Sequence, residues 1–236
     1  MKIHIIRHGD PDYRNDALTE LGEEEAKKLS DYMRLLPVTR LFSSPMGRAR
    51  KTAEYTSRAL GMEVETLPWI HEAGAFMTRP QYTGLDVPVI AWNLPRHKID
   101  ELEHLGEDWV FSNWFSHPDA EDYLFNLQDG MNRFLRNYGI RKEQDAFYGT
   151  GHVSREEIAV FCHYGSGLTA ISYLLGVSVP FLWRSVWLPP SSVTTVLAEE
   201  QQDNRINFRI TGLGSSTHLF HREYVQNTSG LMYNTR

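Results

Sequence analysis

The feature that most constrains this chain is a short apolar strand near its N-terminus that ends in charged and turn-forming residues. Residues 3–6 are mostly isoleucine, which predicts a buried β-strand. The strand stops at Arg7, His8 and Gly9. A cation and an imidazole at this position lie where open α/β sheets bind ligands, and the glycine lets the backbone turn close to a bound group. The pattern therefore predicts a ligand site at this strand end.

Strands and helices alternate over the first seventy residues. The pattern predicts strands over 3–6, 41–43 and 63–67. A helix between the first two strands begins after its cap at Thr19 and runs to about Pro37. A second helix has Ser44 as its cap and Pro45 at its first position, and it ends at Gly61. Such alternation is typical of a largely parallel sheet.

The segment from about 73 to 150 interrupts this alternation. It carries aromatic residues among prolines and charges, followed by an amphipathic helix that closes at Gly139. We predict a cap-like insertion that covers one end of the sheet. The alternation then resumes with a strand over 158–162, a helix ending at Gly176 and two strands over 192–199 and 205–212. Beyond residue 213 no pattern is clear.

The predicted architecture is a single α/β domain over residues 1–236. It is a three-layer sandwich in which helices flank a mostly parallel central sheet, with an inserted cap region. A chain of 236 residues that is 41% hydrophobic can bury one core that carries such an insertion.

Composition and charge limit the partners that this chain can have. Its net charge of -6 disfavours non-specific binding to nucleic acid or to an anionic membrane. No apolar stretch approaches the ~20 residues of a membrane span, and the start is too short for a signal-peptide core. The single cysteine, Cys162, fits a reducing compartment. We therefore expect a cytoplasmic protein without nucleic-acid or membrane partners; the oligomeric state is not predicted.

Three predicted strand ends carry groups that bind anions. His163 follows the strand over 158–162 as His8 follows the first strand. Arg48 lies in the first turn of the helix that follows the strand over 41–43, and a helix N-terminus beside an arginine is an anion site. With Arg7, these residues supply two guanidinium groups and two imidazoles, which match the oxygens of a phosphoryl group.

These segments resemble the histidine phosphatase superfamily, also called the phosphoglycerate mutase-like family. The matching segments occur in family order and span nearly the whole chain: residues 7–9, 18–22, 43–53, 70–72 and the strand end at 163. The resemblance implies that His8 is the nucleophile that becomes phosphohistidine and that Glu72 is the proton donor. It also implies that Arg7, Arg48 and His163 hold the phosphate.

The chemistry of these side chains agrees with those roles. A neutral imidazole is a competent nucleophile, and a covalent intermediate divides one difficult displacement into two easier steps. The other ring nitrogen of His8 needs an acceptor, such as a backbone carbonyl, to fix its tautomer. Fixed arginines stabilise the charge on the phosphoryl oxygens. Water would then attack the phosphohistidine with Glu72 as base. No step requires a metal ion or a cofactor, and neither is predicted.

The predicted function is metal-independent hydrolysis of a small phosphorylated metabolite, by a phosphatase of the histidine acid phosphatase type. The main alternative is a cofactor-dependent phosphoglycerate mutase. Mutases of this family follow Arg-His-Gly with Glu-Ser and a Trp-Asn pair, whereas this chain has residues 10–15 as Asp-Pro-Asp-Tyr-Arg-Asn. A protein that only binds a phosphorylated ligand is a third possibility, disfavoured because His8 and Glu72 are both present.

Several other residues have less specific signals. Tyr13 and Arg14 follow the nucleophile and are candidate substrate-binding residues, although an exposed loop fits them equally well. Cys162 adjoins His163 but should face the opposite side of its strand, in the core. His218 and His221 lack further ligands nearby, so no metal site is predicted there. The aromatic residues of the insertion could wall a pocket for an apolar leaving group.

Overall fold

The computed structural model describes residues 1–116 and 118–220. The strands are β1 (Lys2–Arg7), β2 (Pro11–Asp12), β3 (Ala17–Leu18), β4 (Val38–Ser43), β5 (Val64–Thr66), β6 (Ile140–Glu143), β7 (Ala146–Gly149), β8 (Glu157–Cys162), β9 (Val193–Glu200) and β10 (Arg205–Ser215). The α-helices are α1 (Glu20–Met33), α2 (Gly47–Leu60), α3 (Pro80–Thr83), α4 (Arg96–His104), α5 (Asp119–Arg136), α6 (Tyr164–Leu175) and α7 (Val179–Ser185). Short 3₁₀ helices cover Pro68–Ile70, Gly74–Phe76, Ala91–Asn93, Gly106–Phe111 and Thr217–Leu219.

A mixed eight-stranded sheet lies at the centre, in the order β5-β4-β8-β1-β9-β10-β7-β6. The first four strands in this order pair in parallel, and the others continue the sheet in antiparallel pairs. Strands β1 and β8 are neighbours, and Arg7 pairs with Cys162 at their ends. The chain therefore leaves both strands at the same edge of the sheet, and the predicted α/β fold is confirmed.

Alternate residues of the central strands pack on opposite faces of the sheet. Ile5, Val160 and Cys162 belong to a core cluster shared with α5 and α6. Ile6 and Phe161 belong to a second cluster that includes residues of α1 and α2. This division of side chains between two faces follows from the period of two along a strand. It produces the three predicted layers and places Cys162 in the core, as predicted.

Both N-terminal helices form, with changes at one end of each. Thr19 caps α1 and accepts a hydrogen bond from the Gly22 N–H (3.1 Å). The helix ends at Met33 rather than near Pro37, because the residue before a proline disfavours the helical conformation. Helix α2 begins at Gly47 with Met46 as its N-cap, so the predicted start at Ser44 and Pro45 is two residues too early. It ends at Gly61, whose φ of 66° is left-handed, as predicted.

The segment from 73 to 150 contributes to the sheet as well as to the helices around it. Residues 140–149, near its end, form the hairpin β6–β7, and β7 pairs with β10. We did not predict these strands, since each has four residues without a clear alternation of apolar and polar side chains. The insertion's aromatic residues pack with α7: Phe76 lies 5.2 Å from Trp109 and 5.3 Å from Trp183, between ring centroids. No helix within the described ranges is long and apolar enough to cross a membrane.

Candidate active site

The ends of β1 and β8 bring two imidazoles together. His8 and His163 are both fully buried, and their ring centroids lie 5.1 Å apart in an edge-on arrangement. Each residue follows its parallel strand directly, so the register of the two strands sets the distance between the rings. The structure thus brings together the two histidines that the sequence placed at one sheet edge.

Hydrogen bonds define the tautomer of His8. Its Nδ1 lies 2.7 Å from the Gly9 carbonyl oxygen, and its Nε2 lies 3.2 Å from Arg48 Nε. A guanidinium can only donate, so Nε2 must accept and carry a lone pair. Nδ1 therefore carries the proton and donates it to the carbonyl. This arrangement leaves Nε2 as the nucleophilic atom, with the backbone carbonyl that the sequence analysis required.

Two buried arginines lie beside these rings. The Arg7 guanidinium lies 5.4 Å from the Tyr164 ring and 5.0 Å from the Trp187 ring, and its Nη1 donates to the Leu188 carbonyl (2.7 Å). Arg48 donates to His8 and to Asp16. Among the described residues, the buried Arg7 Nε and His163 Nδ1 have no hydrogen-bond partner. Buried polar atoms are normally paired, so these two atoms are the ones that a bound anion would satisfy.

Glu72 reaches the same point from the loop after Pro68–Ile70. Its Oε1 accepts hydrogen bonds from the backbone N–H groups of Ala73 (2.9 Å) and Ser166 (3.1 Å), the latter in the first turn of α6. One ligand atom each of His8, Glu72 and His163 lies within 4.8 Å of the others, a set that could hold a metal ion. The sequence analysis did not anticipate this set. The Arg48 cation bonded to His8 opposes a divalent cation there.

Tyr13 and Arg14 differ in how they relate to this site. The Tyr13 ring lies 5.4 Å from the Arg48 guanidinium, so the side chain lies over the site although it is 65% exposed. Arg14 is exposed in the following turn, where its backbone N–H donates to Asp12 Oδ1 (3.1 Å). Within the described parts of the chain, no contact joins the Arg14 side chain to the central residues. His221 lies outside the described residues.

Three polar residues that support the site were not predicted to do so. Ser44 Oγ lies 2.7 Å from His163 Nε2 and also accepts from the Met46 N–H (3.3 Å) just before α2. Thr52 Oγ1 accepts from the Gly9 N–H (3.0 Å). Asp16 binds the start of α2, so the Gly47 N–H at this helix N-terminus already has a partner (2.6 Å). These contacts join residues far apart in the chain and leave no local sequence signal.

Both imidazoles are neutral at pH 7. Burial, followed by the charge of Arg7, lowers the pKa of His8 well below its usual value of 6.5. Burial, followed by the neighbouring His8 and Arg48, lowers the pKa of His163 well below 6.5. Desolvation and nearby cations both penalise the imidazolium. A neutral His8 is the form that can act as a nucleophile.

These lowered pKa values predict that acid destabilises the fold. In the unfolded chain the histidines titrate near pH 6.5, so below this pH the unfolded state binds more protons than the folded state. The free energy of unfolding therefore decreases as the pH is lowered. Each buried histidine should cost about 1 kcal/mol of unfolding free energy per pH unit below 6.5. Urea unfolding at pH 7.5 and 5.5 measures this loss. A His163→Asn variant should lose less on acidification than the wild type, and an equal loss would contradict the assignment.

Comparison with known proteins identifies a family whose model matches the first part of the chain. Residues 3–85 match the family model of the histidine phosphatase superfamily (branch 1). The probable phosphoglycerate mutase GpmB of Erwinia tasmaniensis is 31% identical over 118 residues, which are 46% of this chain and 47% of that protein. The chain therefore matches about half the length of this curated relative.

Solved structures show that the fold extends over most of the chain. A mutant phosphoserine phosphatase from Entamoeba histolytica, in complex with phosphoserine, has a TM-score of 0.63 and 17% identity, covering 93% of this chain and 99% of that chain. The mycobacterial glucosyl-3-phosphoglycerate phosphatase has a TM-score of 0.58 and 18% identity, covering 91% of this chain and 98% of that chain. The family-model match, the curated relative and the solved structures together support the resemblance to the histidine phosphatase superfamily that the motifs indicated.

Proposed function

We propose that this protein is a metal-independent phosphomonoester hydrolase that forms a phosphohistidine on His8 and acts on a small phosphorylated metabolite. The observation that carries the proposal is the state of His8 Nε2: a lone pair held by the Nδ1 bond to Gly9 and oriented towards a buried guanidinium. The match of residues 3–85 to the family model and the named phosphatases among the structural neighbours support the same chemistry.

In the first step, His8 Nε2 attacks phosphorus and the bond to the leaving oxygen breaks. Arg7, Arg48 and His163 contact the phosphoryl oxygens and stabilise the charge that spreads over them in the transition state. Glu72 gives its proton to the leaving oxygen, so the substrate departs as an alcohol. Because these donors are buried and already oriented, they need little rearrangement when the transition state forms.

In the second step, a water molecule attacks phosphorus from the side that the alcohol has left. Glu72 accepts a proton from this water while the Nε2–phosphorus bond breaks. Inorganic phosphate leaves, and His8 returns to the neutral tautomer that the Gly9 carbonyl holds. Both steps use one carboxylate in turn as acid and as base, and neither step uses a metal ion.

Mutase activity is the rival function, since a named relative is a probable phosphoglycerate mutase. A mutase must protect its phosphohistidine from water, whereas a phosphatase must admit water. The ring that lies over Arg48 belongs to Tyr13, which is itself largely exposed, and this favours access of water. Incubation with 3-phosphoglycerate and a trace of its bisphosphorylated form, which phosphorylates the histidine of a mutase, separates the two functions: a phosphatase releases phosphate, and a mutase isomerises the substrate without release.

A panel of phosphorylated metabolites, assayed for phosphate release with and without chelator, tests the proposal. The panel includes phosphoserine, glucosyl-3-phosphoglycerate and 3-phosphoglycerate, with aryl phosphates as generic substrates. We expect release that chelator does not change. Release that requires added Zn²⁺ and stops with chelator would instead indicate that His8, Glu72 and His163 act as metal ligands. Phosphate binding without any release would indicate a binding protein.

The leaving group should pass the Trp92 ring. A Cβ on residue 165, which is glycine, would lie 2.4 Å from Trp92 Cζ3 and 2.8 Å from Glu72 Oε1. The edge of the indole therefore lies beside the carboxylate that we propose as proton donor. Because the leaving oxygen must face this carboxylate, the rest of the leaving group lies close to the indole edge. This arrangement favours planar or apolar leaving groups.

Trp92→Ala should raise KM for 1-naphthyl phosphate about 10-fold, the value of one aromatic stacking contact. The KM for methyl phosphate should stay nearly unchanged, because a methyl group is too small to reach the indole. Trp114→Ala, which removes another partly buried tryptophan of the insertion, is the matched control. Steady-state kinetics gives KM of each variant for both substrates. An equal change in KM for 1-naphthyl phosphate and methyl phosphate would show that Trp92 does not line the leaving-group pocket.

A further inference from the structure

Asp16 joins the start of α2 to the buried arginine. Its Oδ1 accepts from Arg48 Nη1 (2.6 Å) and its Oδ2 accepts from the Gly47 N–H (2.6 Å). The Arg48 side chain is 5% exposed and the Asp16 side chain 43% exposed, so the carboxylate connects a buried cation to the rim of the site. A charge-assisted bond of this length is among the strong hydrogen bonds of proteins.

The backbone around this contact is built for close approach. Asp16 has a φ of 48°, in the left-handed region that aspartate tolerates better than most residues. A Cβ on residue 47 would lie 2.2 Å from the Asp16 carbonyl oxygen, so only glycine lets the loop rest on the start of α2. The loop between β2 and β3 is therefore held against the helix by backbone fit as well as by the carboxylate.

The contact determines how the guanidinium lies. Asp16 holds Nη1, the sulfur of Met46 lies 3.7 Å from Nη2, and Nε points to His8 Nε2. Because both terminal nitrogens of the guanidinium have contacts, the Nε–H stays directed at the lone pair of His8 Nε2. A bound phosphoryl group would take this donor over from His8, so that the cation needs no reorientation during the reaction.

We propose that Asp16 is a positioning residue: it orients Arg48 towards the phosphoryl group and acts on the reaction only through that arginine. This inference rests on the proposed hydrolase function. The inference extends that function, because it adds to the site an acidic residue that does not touch the substrate. Its negative charge is tolerated near an anionic substrate because Arg48 and the helix N-terminus lie between the two.

A double-mutant cycle tests the inference directly. Asp16→Ala should lower kcat by about 10- to 100-fold with a smaller change in KM, since a misdirected donor is lost mainly in the transition state. In an Arg48→Ala background, Asp16→Ala should change kcat less than twofold, because the arginine through which it acts is gone. Asp16→Asn, which can accept only one of the two bonds, should lie between wild type and Asp16→Ala. Asp129→Asn, on the exposed face of α5, is the control.

Gly47→Ala tests the same contact without removing a charge. The added Cβ would lie 2.2 Å from the Asp16 carbonyl oxygen, so a purely structural role predicts a lower unfolding temperature with normal kcat in the folded protein. We expect instead that the added Cβ displaces the Asp16 loop and lowers kcat in the same direction as Asp16→Ala. Thermal unfolding of each variant separates loss of activity from loss of fold.

Calorimetric binding of inorganic phosphate keeps the two proposals separate. If the wild type binds phosphate but turns over no substrate, the hydrolase proposal fails. The positioning role of Asp16 would still hold if Asp16→Ala weakened phosphate binding in the otherwise wild-type protein and left phosphate binding unchanged in the Arg48→Ala variant. Additive effects of Asp16→Ala and Arg48→Ala, on kcat or on phosphate affinity, would overturn the positioning role.

Discussion

His8→Ala is expected to lower kcat for phosphate release by about four orders of magnitude or more while the protein stays folded. The variant removes the only atom that the mechanism lets bond to phosphorus. The rest of the site keeps its supports, because Arg7 bonds to the Leu188 carbonyl and Arg48 to Asp16 independently of His8. Phosphate should therefore still bind, and only the chemistry should stop. Phosphate-release kinetics and calorimetric phosphate binding measure the two effects on the same sample.

The matched control for this variant is His97→Ala, which removes an exposed histidine on α4. It should retain wild-type kcat, and circular dichroism should give the same spectrum for both variants and the wild type. A His8→Ala variant that kept a tenth of the activity would place the nucleophile elsewhere. His163, whose ring lies next to His8, would then be the first residue to substitute.

Glu72→Gln should have the second-largest effect, and its size should depend on the leaving group. For an alkyl phosphate, loss of the proton donor should lower kcat by about 10² to 10⁴-fold. For p-nitrophenyl phosphate, whose leaving group departs without a proton, the first step should survive. The second step still lacks its base, so phosphohistidine should accumulate. The glutamine oxygen can accept the same bonds from the Ala73 and Ser166 N–H groups, so the loop should keep its place.

Rapid-quench kinetics with p-nitrophenyl phosphate tests this behaviour. Glu72→Gln should give a burst of p-nitrophenol equal to the enzyme concentration, followed by slow turnover. Glu65→Gln, at an exposed position on β5, is the control and should behave as the wild type. An equal loss of kcat for alkyl and aryl substrates, without a burst, would show that Glu72 acts on neither proton transfer.

The central part of the site could be predicted because its residues follow strands that have strong local patterns. The apolar runs before His8 and His163 identify two buried strands, and parallel neighbours end at the same edge of a sheet. The register of β1 and β8 then sets the two rings side by side. Glu72 was found only through the family resemblance, since nothing in its local sequence distinguishes it from an exposed loop carboxylate.

The supports of the site could not be predicted, because each depends on a contact between distant segments. Asp16 and Arg48 are separated by 32 residues, and Ser44 and His163 by 119. In the sequence, Ser44 before a proline is a good helix cap. In the structure its hydroxyl accepts from the Met46 N–H (3.3 Å) and also contacts His163 Nε2 (2.7 Å), while α2 begins at Gly47. The local pattern therefore identified a polar turn before the helix, whereas the contact with the distant histidine depends on the fold.

The two strands of the hairpin β6–β7 were missed for a related reason. Segments of four residues carry too little periodicity to predict a strand, and their pairing depends on β10, more than fifty residues further along the chain. The 73–150 segment was interpreted as a cap because it interrupts the alternation and carries aromatic residues among prolines and charges. Phe76, Trp92 and Trp109 pack with Trp183 of α7, and Trp92 also lies beside Glu72.

Identification of the phosphorylated atom decides whether His8 is the nucleophile. Wild-type and Glu72→Gln proteins would be mixed with p-nitrophenyl phosphate, quenched in alkaline denaturant to preserve phosphohistidine, and digested for mass spectrometry and NMR of the labelled peptide. We predict one phosphoryl group per chain, on Nε2 of His8, more abundant in Glu72→Gln and absent in His8→Ala. Label on His163, or phosphate release at the wild-type rate without any phosphorylated histidine, would contradict the account.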